Sequence, residues 1–270
     1  MTELWSLLLM QPLVSALIVF YKVFGSFGLA IIALTVLLRF LLIPLTLPTM
    51  KAQKKMTGLA PEIARLKEKY AGDKEKFARA QMELYRQAGA NPAAGCLPLI
   101  IQFVILIALY QVFIQLLQAN GGVVAKINEM VYPFLRLPQD ATVNLSFLYL
   151  DLARPDVFKV NNIPLPGFFL LLAAATQFLS TKMMAPVVNK AQKVAAKTPQ
   201  KTDDMATMMQ SQMLYLFPLM TIFIGYTFPS GLVLYWFVFS AFQLVQQYLF
   251  SGWGGLQPWV AKLPFSGKMG

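Results

Sequence analysis

The chain has 270 residues, 57% of them hydrophobic and 13% charged, with a formal net charge of +11 and no histidine. Soluble domains carry about 25% charged residues, so this composition, with a mean hydropathy of +0.57, argues against a soluble domain and for a membrane protein. The single cysteine, Cys96, excludes an intramolecular disulfide framework, and one cysteine without histidine leaves no zinc site.

The first apolar stretch, Leu4 to Tyr21, lacks the basic n-region and small-residue cleavage motif of a signal peptide. Pro12 is expected to break it, and few residues separate it from the next apolar segment, so it reads as an interfacial helix on the outer face. Four longer segments carry no charge except Arg39: Val23 to Met50, Gln87 to Ala125, Val160 to Thr181 and Met205 to Ala261. A helix needs roughly 20 apolar residues to cross the hydrocarbon. Spans are therefore expected near 28–47, 97–117, 164–183, 213–228 and 231–250, with Pro229-Ser230-Gly231 turning the chain between the last two.

Charge sets the orientation. Residues 51–96 hold ten basic and five acidic groups, and residues 182–212 hold five and two. With Lys262 and Lys268 in the tail, one side carries 17 basic against 7 acidic residues, whereas loop 119–163 has four of each. An excess of Lys and Arg marks the cytoplasmic side, which places the N-terminus outside and the C-terminus inside. The expected organisation is an interfacial helix in 1–24, the first span in 25–50, a cytoplasmic hairpin in 51–90, four further spans in 91–250 and a short tail in 251–270.

In the first cytoplasmic loop, Met56, Leu59, Ile63, Leu66 and Tyr70 recur at steps of three and four, the spacing of a helical seam. Ala71-Gly72-Asp73 is a turn with Asp73 as cap; Phe77, Gln81, Leu84 and Ala88 mark a facing helix that stops at Gly89. Its exposed charges, Lys51, Lys54, Lys55, Arg65, Lys67 and Arg79 among them, fit either a solvated hairpin that fixes topology or a basic arm that meets anionic lipid, a partner or nascent chain. Met205, Met208, Met209 and Met213 suit a surface accepting varied apolar partners, or loose packing at a helix start.

Arg39 is the outlying residue. It lies 12 residues before Lys51, about 18 Å of helix, too deep for its side chain to reach the surface fully. A mid-span Arg costs roughly 2.5–3.5 kcal/mol on insertion scales, so it faces protein or a wet cavity. No Asp or Glu lies inside the expected spans. Two readings follow: Arg39 locks helices together through carbonyls and amides, or its charge serves a negative group on a visiting molecule. Neutral polar residues favour the second. Thr35, Arg39 and Thr46 share a stripe on the first span; Gln111, Gln115 and Gln118 form one on the second; Gln177, Ser180 and Thr181 cluster on the third; Trp236, Ser240, Gln243 and Gln247 line the fifth. Polar stripes in spans turn away from lipid. Together they point to an all-α membrane protein of five transmembrane helices around a shared hydrophilic groove.

Without histidine or intramembrane carboxylates there is no ordinary general base in the membrane, so an enzyme is not expected, nor is a cofactor or metal. The competing classes are an uncoupled anion channel or transporter with Arg39 as selectivity element, and a structural assembly factor.

"LTVLLRFLLIPLT", "NPAAGCLPLIIQFVILIALY" and "FPSGLVLYWFVFSAFQLVQQYL" resemble the YidC/Oxa/Alb membrane-protein insertases, in order, from about Gln11 to Leu249. Residues 91–98 and 229–236 carry the most specific part, and Ser240 stands where many relatives have asparagine. The likeness is to the short bacterial form without a large periplasmic domain. It implies an insertase and membrane chaperone whose substrates are nascent membrane proteins, in a bacterial plasma membrane. Arg39 matches the groove arginine, Thr35 a substrate-contacting position, and Gln177 and Trp236 groove residues on the third and fifth spans. The basic hairpin resembles the loop that receives substrate or its targeting machinery. The resemblance makes the ribosome, the signal recognition particle with its receptor, and the Sec translocon candidate partners, and gives no nucleic-acid site beyond ribosome contact.

Overall fold

The structure, a computed structural model, describes residues 3–91, 96–117, 122–185 and 205–262. Its helices of eight residues or more among the described residues are, in chain order, α1 (Glu3–Phe24), α2 (Phe27–Gly58), α3 (Ala60–Lys69), α4 (Lys74–Gln87), α5 (Cys96–Leu117), α6 (Val123–Met130), α7 (Phe168–Met184), α8 (Met205–Gly225) and α9 (Ser230–Ser251). Among the described residues, α1, α2 and α9 are long and apolar enough to cross a membrane; Ile100–Leu116, Phe168–Met184 and Leu214–Gly225 are shorter apolar helices. The chain is thus a mostly helical membrane protein.

Several boundaries differ from expectation. Pro12 does not break α1: the turn before it, Ser6–Met10, widens to a π-helix, which accommodates a residue without an N–H. Helix α2 runs through Pro44 and Pro48 to Gly58 instead of ending near 47. The break falls at Leu59, inside the predicted seam, because Pro61 occupies the first turn of α3, where its missing N–H costs nothing. Asp73 caps α4, its carboxylate accepting from the Lys76 amide at 3.0 Å, and Gly89 after α4 takes φ +61°.

Loop 119–163 departs most from an all-helical reading. It contributes α6 and two antiparallel ribbons, β1 (Ser146–Phe147) with β2 (Leu150–Asp151), and β3 (Val157–Val160) with β4 (Ile163–Pro166), the last displacing the expected start of the third span to Phe168.

The chain divides into two compact units. The first comprises Met1–Leu42, Ile100–Thr176 and Pro218–Phe242 and holds the main hydrophobic core, in which Leu17, Ile18, Phe27, Ala108, Val112, Leu152, Leu170, Leu232 and Tyr235 are almost wholly buried. Loop segments fasten that core. Ser15 Oγ accepts from the Tyr132 amide at 3.1 Å, and Lys22 Nζ donates to the Leu135 carbonyl at 3.0 Å. At the start of α9, Ser230 Oγ donates to the Asp151 carbonyl at 2.7 Å, and the amides of Ser230 and Gly231 donate to Arg154 and Leu152 carbonyls at 2.7 and 3.0 Å. A Cβ on Gly231 would lie 2.3 Å from the Phe113 ring, so the Pro-Ser-Gly motif docks a helix end onto the loop around Asp151–Arg154 as well as turning the chain.

The second unit comprises Ile43–Leu99, Gln177–Phe217 and Gln243–Gly270. It contains the α3–α4 hairpin, with Phe77 as its buried apolar residue, and an aromatic group in which Phe178 lies 6.1 Å from both Tyr215 and Trp259.

Candidate functional site around Arg39

Thr35, Arg39, Trp236 and Ser240 belong to the first unit; Thr46, Gln177, Ser180 and Gln243 belong to the second. On α2, Thr35 and Arg39 continue the buried face that begins with Phe27, Ala30, Ile31 and Leu34. Arg39 is 6% exposed. Its guanidinium carbon stands 3.4 Å from the centroid of the Phe239 ring and 5.7 Å from that of Phe242, and its Nη2 donates to the Phe239 carbonyl at 2.8 Å. Phe40 meets Phe242 edge to face at 5.2 Å. A desolvated cation–π contact contributes about 2 kcal/mol and a hydrogen bond from a charged donor about 1.5–3. Together they are as large as the roughly 2.5–3.5 kcal/mol cost of a mid-span Arg. Burial of the charge is therefore sustained by α9 itself. The guanidinium is covered at rest and not openly displayed.

Thr35 Oγ1 donates to the Ile31 carbonyl of its own helix at 2.6 Å, so its hydroxyl is engaged where a substrate contact was expected. Ser240 is fully buried. Trp236 is half-buried and, with Leu170, Thr221, Gly225 and Leu232, borders a narrow apolar cavity of about 10 Å³. Two neighbouring features were not read from the sequence. Tyr235, 1% exposed, donates to Gln102 Oε1 at 3.4 Å. Two of the three phenylalanines of "FVFSAF", Phe239 and Phe242, supply the aromatic platform; the aromatic density of that segment was the available signal.

In the second unit, Thr46 Oγ1 donates to the Ile43 carbonyl at 3.1 Å and accepts from Gln246 Nε2 at 3.2 Å. Gln177 Nε2 reaches Thr181 Oγ1 at 3.5 Å, and Gln243 Nε2 reaches the Met184 sulfur at 3.6 Å. Ser180 is fully buried, and its hydroxyl has no hydrogen-bond partner among the described residues. Lys51, Lys54, Lys55, Arg65 and Arg79 are exposed and Lys67 is half-buried. Lys54 Nζ donates to the Phe250 carbonyl at 3.4 Å, and Arg79 pairs with Glu75. The side chains of Met205, Met208, Met209 and Met213, and residues 92–95 of the Asn-Pro motif, lie outside the described residues.

Sequence reading also missed Asp156, a carboxylate 3% exposed that holds the start of α7. Its Oδ2 accepts from the Leu170 amide at 2.9 Å and its Oδ1 from the Tyr149 hydroxyl at 3.0 Å, while the Tyr149 oxygen accepts from the Phe169 amide at 3.1 Å. Burial, with the Asp156 carboxylate alongside, raises the Tyr149 phenol above its ordinary range.

A family profile described as 60Kd inner membrane protein matches residues 19–253. The membrane protein insertase YidC of Fusobacterium nucleatum is 37% identical over 227 residues, covering 84% of this chain and 87% of that protein. Membrane protein insertase YidC 2 of Bacillus anthracis is 30% identical over 256 residues, covering 93% and 82%. The YidC of Pelobacter propionicus is 33% identical over 246 residues, 90% of this chain but 38% of that longer protein. The chain belongs to the 60Kd inner membrane protein family, among relatives that carry the name membrane protein insertase YidC.

Proposed function

We propose that the protein is a membrane protein insertase and chaperone of the bacterial inner membrane, which takes up hydrophobic nascent proteins at Arg39 and releases their transmembrane segments sideways into lipid. One observation carries this reading: relatives named as insertases match most of the chain and, in the short forms, most of their own length. The function is binding and transfer, with no covalent chemistry. The topology proposed is five spans, in α2, α5, α7, α8 and α9, with the N-terminus outside. Attachment of α1 to loop residues Tyr132 and Leu135 supports an interfacial position for that helix.

In the proposed cycle an acidic extracytoplasmic segment of the substrate enters a hydrophilic groove from the cytoplasm and displaces the Phe239 carbonyl from Arg39. A carboxylate adds a full negative charge and can accept two parallel bonds from the guanidinium where the carbonyl accepts one, so the exchange favours the carboxylate. The basic hairpin receives the substrate, or the ribosome or targeting machinery that brings it. Outward movement of each negative charge is favoured by about 2.3 kcal/mol per 100 mV of membrane potential. Transfer of the apolar segment into lipid adds about 25 cal/mol per Å².

The test is insertion of a single-span substrate with an acidic N-terminal tail by the purified protein in proteoliposomes, read by protease protection. Protection that depends on the protein is the expected result. Its absence in vesicles holding folded protein, or a steady Arg39-dependent ion conductance in place of insertion, would overturn the reading.

A further inference from the structure

The β3–β4 ribbon exposes four large apolar side chains, Phe158, Val160, Ile163 and Leu165. Directly opposed residues of an antiparallel pair share a face, and faces alternate along each strand. The register pairs Phe158 with Leu165 and Val160 with Ile163, which puts all four on one face; Lys159, opposite Pro164, lies on the other. The four apolar residues are 44–61% exposed. Asn161 and Asn162 close the turn at φ +49° and +62°, the left-handed pair that a two-residue hairpin needs. An isolated two-stranded hairpin is marginal in water, so an unfilled apolar face of this size calls for a partner.

The ribbon's attachments identify that partner. Strand β4 passes through Gly167 directly into α7, and the Tyr226 hydroxyl just beyond α8 donates to the Pro164 carbonyl at 3.3 Å. At its base Phe158 stacks on Tyr149 at 5.5 Å, and Tyr149 in turn meets Phe169 of α7 at 5.9 Å. Exposed Phe168 and Leu171 continue the apolar surface onto α7. Aromatic and amphipathic groups at the end of a span sit at headgroup level, and the two open edges of the ribbon need water, which keeps it out of the hydrocarbon core. We infer that the β3–β4 ribbon lies in the outer headgroup–acyl boundary of the bilayer, with Phe158, Val160, Ile163 and Leu165 against lipid and Lys159 toward water. The inference rests on α7 being a membrane span.

Single cysteines at Ile163, Val160, Lys159 and Leu171, in a Cys96→Ser background, are labelled with an environment-sensitive fluorophore. The labelled proteins are reconstituted in phosphatidylcholine–phosphatidylglycerol vesicles. Labels at Ile163 and Val160 should emit to the blue of the label at Lys159 and be quenched by lipid brominated near the glycerol end of its chains. A label at Leu171 should be quenched by lipid brominated deeper. Water-like emission at both Ile163 and Val160, with Leu171 still quenched, would overturn the inference and leave the span intact. Blue emission at those two positions that brominated lipid does not quench would also overturn it, since protein then covers the face. Loss of lipid quenching at Leu171 would remove the span and the inference with it.

Discussion

Replacing Asp156 with alanine tests how α7 is held. The carboxylate makes two hydrogen bonds, from the Leu170 amide at 2.9 Å and the Tyr149 hydroxyl at 3.0 Å. It is 3% exposed, so water does not readily replace it. Hydrogen bonds to a charged group contribute about 1.5–3 kcal/mol each. Alanine leaves two donors without their acceptor, and an expected loss of about 3 kcal/mol follows from the lower end of that range. At about 2–4 °C per kcal/mol for a chain of this size, Tm should fall by about 6–12 °C in a detergent thermal-unfolding assay. Asp156→Asn keeps one acceptor oxygen and should cost about half as much. Tyr149→Phe combined with Asp156→Ala should be less than additive, because the two share a bond. A Tm for Asp156→Ala within a degree of the parent, or full additivity in the double variant, would refute the role assigned to this carboxylate.

Three further outcomes follow. Because the Tyr149 phenol is raised in the folded chain, its contribution is complete below the ordinary tyrosine range and is lost as pH rises through the raised value. Tyr149→Phe should therefore flatten the alkaline fall in Tm. The Lys76 amide and then the Lys76 ammonium hold the Asp73 carboxylate below its ordinary range, so the cap is intact above that range and is lost as pH falls through the lowered value. The protection factor of the Lys76 amide against hydrogen exchange should drop in Asp73→Ala at neutral pH, and in the parent only at acidic pH. Gly231→Ala places a Cβ 2.3 Å from the Phe113 ring; overpacking of this kind costs about 1–3 kcal/mol, and Phe113→Leu should recover part of the lost Tm.

What the sequence disclosed was local or periodic. Charge-free length located the apolar helices, Asp73 announced its cap, and Arg39 stood out because a charge in a 28-residue apolar stretch has few physical explanations. What it concealed was non-local. The ribbons at 146–166 are strands of two to four residues, too short for alternation to register, and their apolar residues read equally well as the beginning of a span. Asp156 looked like any loop carboxylate, since its partners Tyr149 and Leu170 are 7 and 14 residues away and its burial comes from packing. The first span is expected near 28–47, but a helix with lipid or protein around it has no water to satisfy a broken backbone, and α2 continues through Pro44 and Pro48. The polar stripes were legible as residue types, whereas their hydrogen bonds were not. Thr35 and Thr181 donate to carbonyls one turn back on their own helices.

The most direct measurement is a cycle over Arg39 and its proposed target. Insertion rates are compared for Arg39, Arg39→Lys and Arg39→Ala proteins, each with a substrate whose tail carries Asp and one whose tail carries Asn. A charge-assisted contact of about 1.5–3 kcal/mol corresponds to roughly 10–100-fold in rate. Arg39→Ala should lose that factor on the Asp substrate and little on the Asn substrate, and Arg39→Lys should keep most of it. Equal losses on the two substrates would mean that Arg39 only clamps α2 to Phe239, and would contradict charge capture.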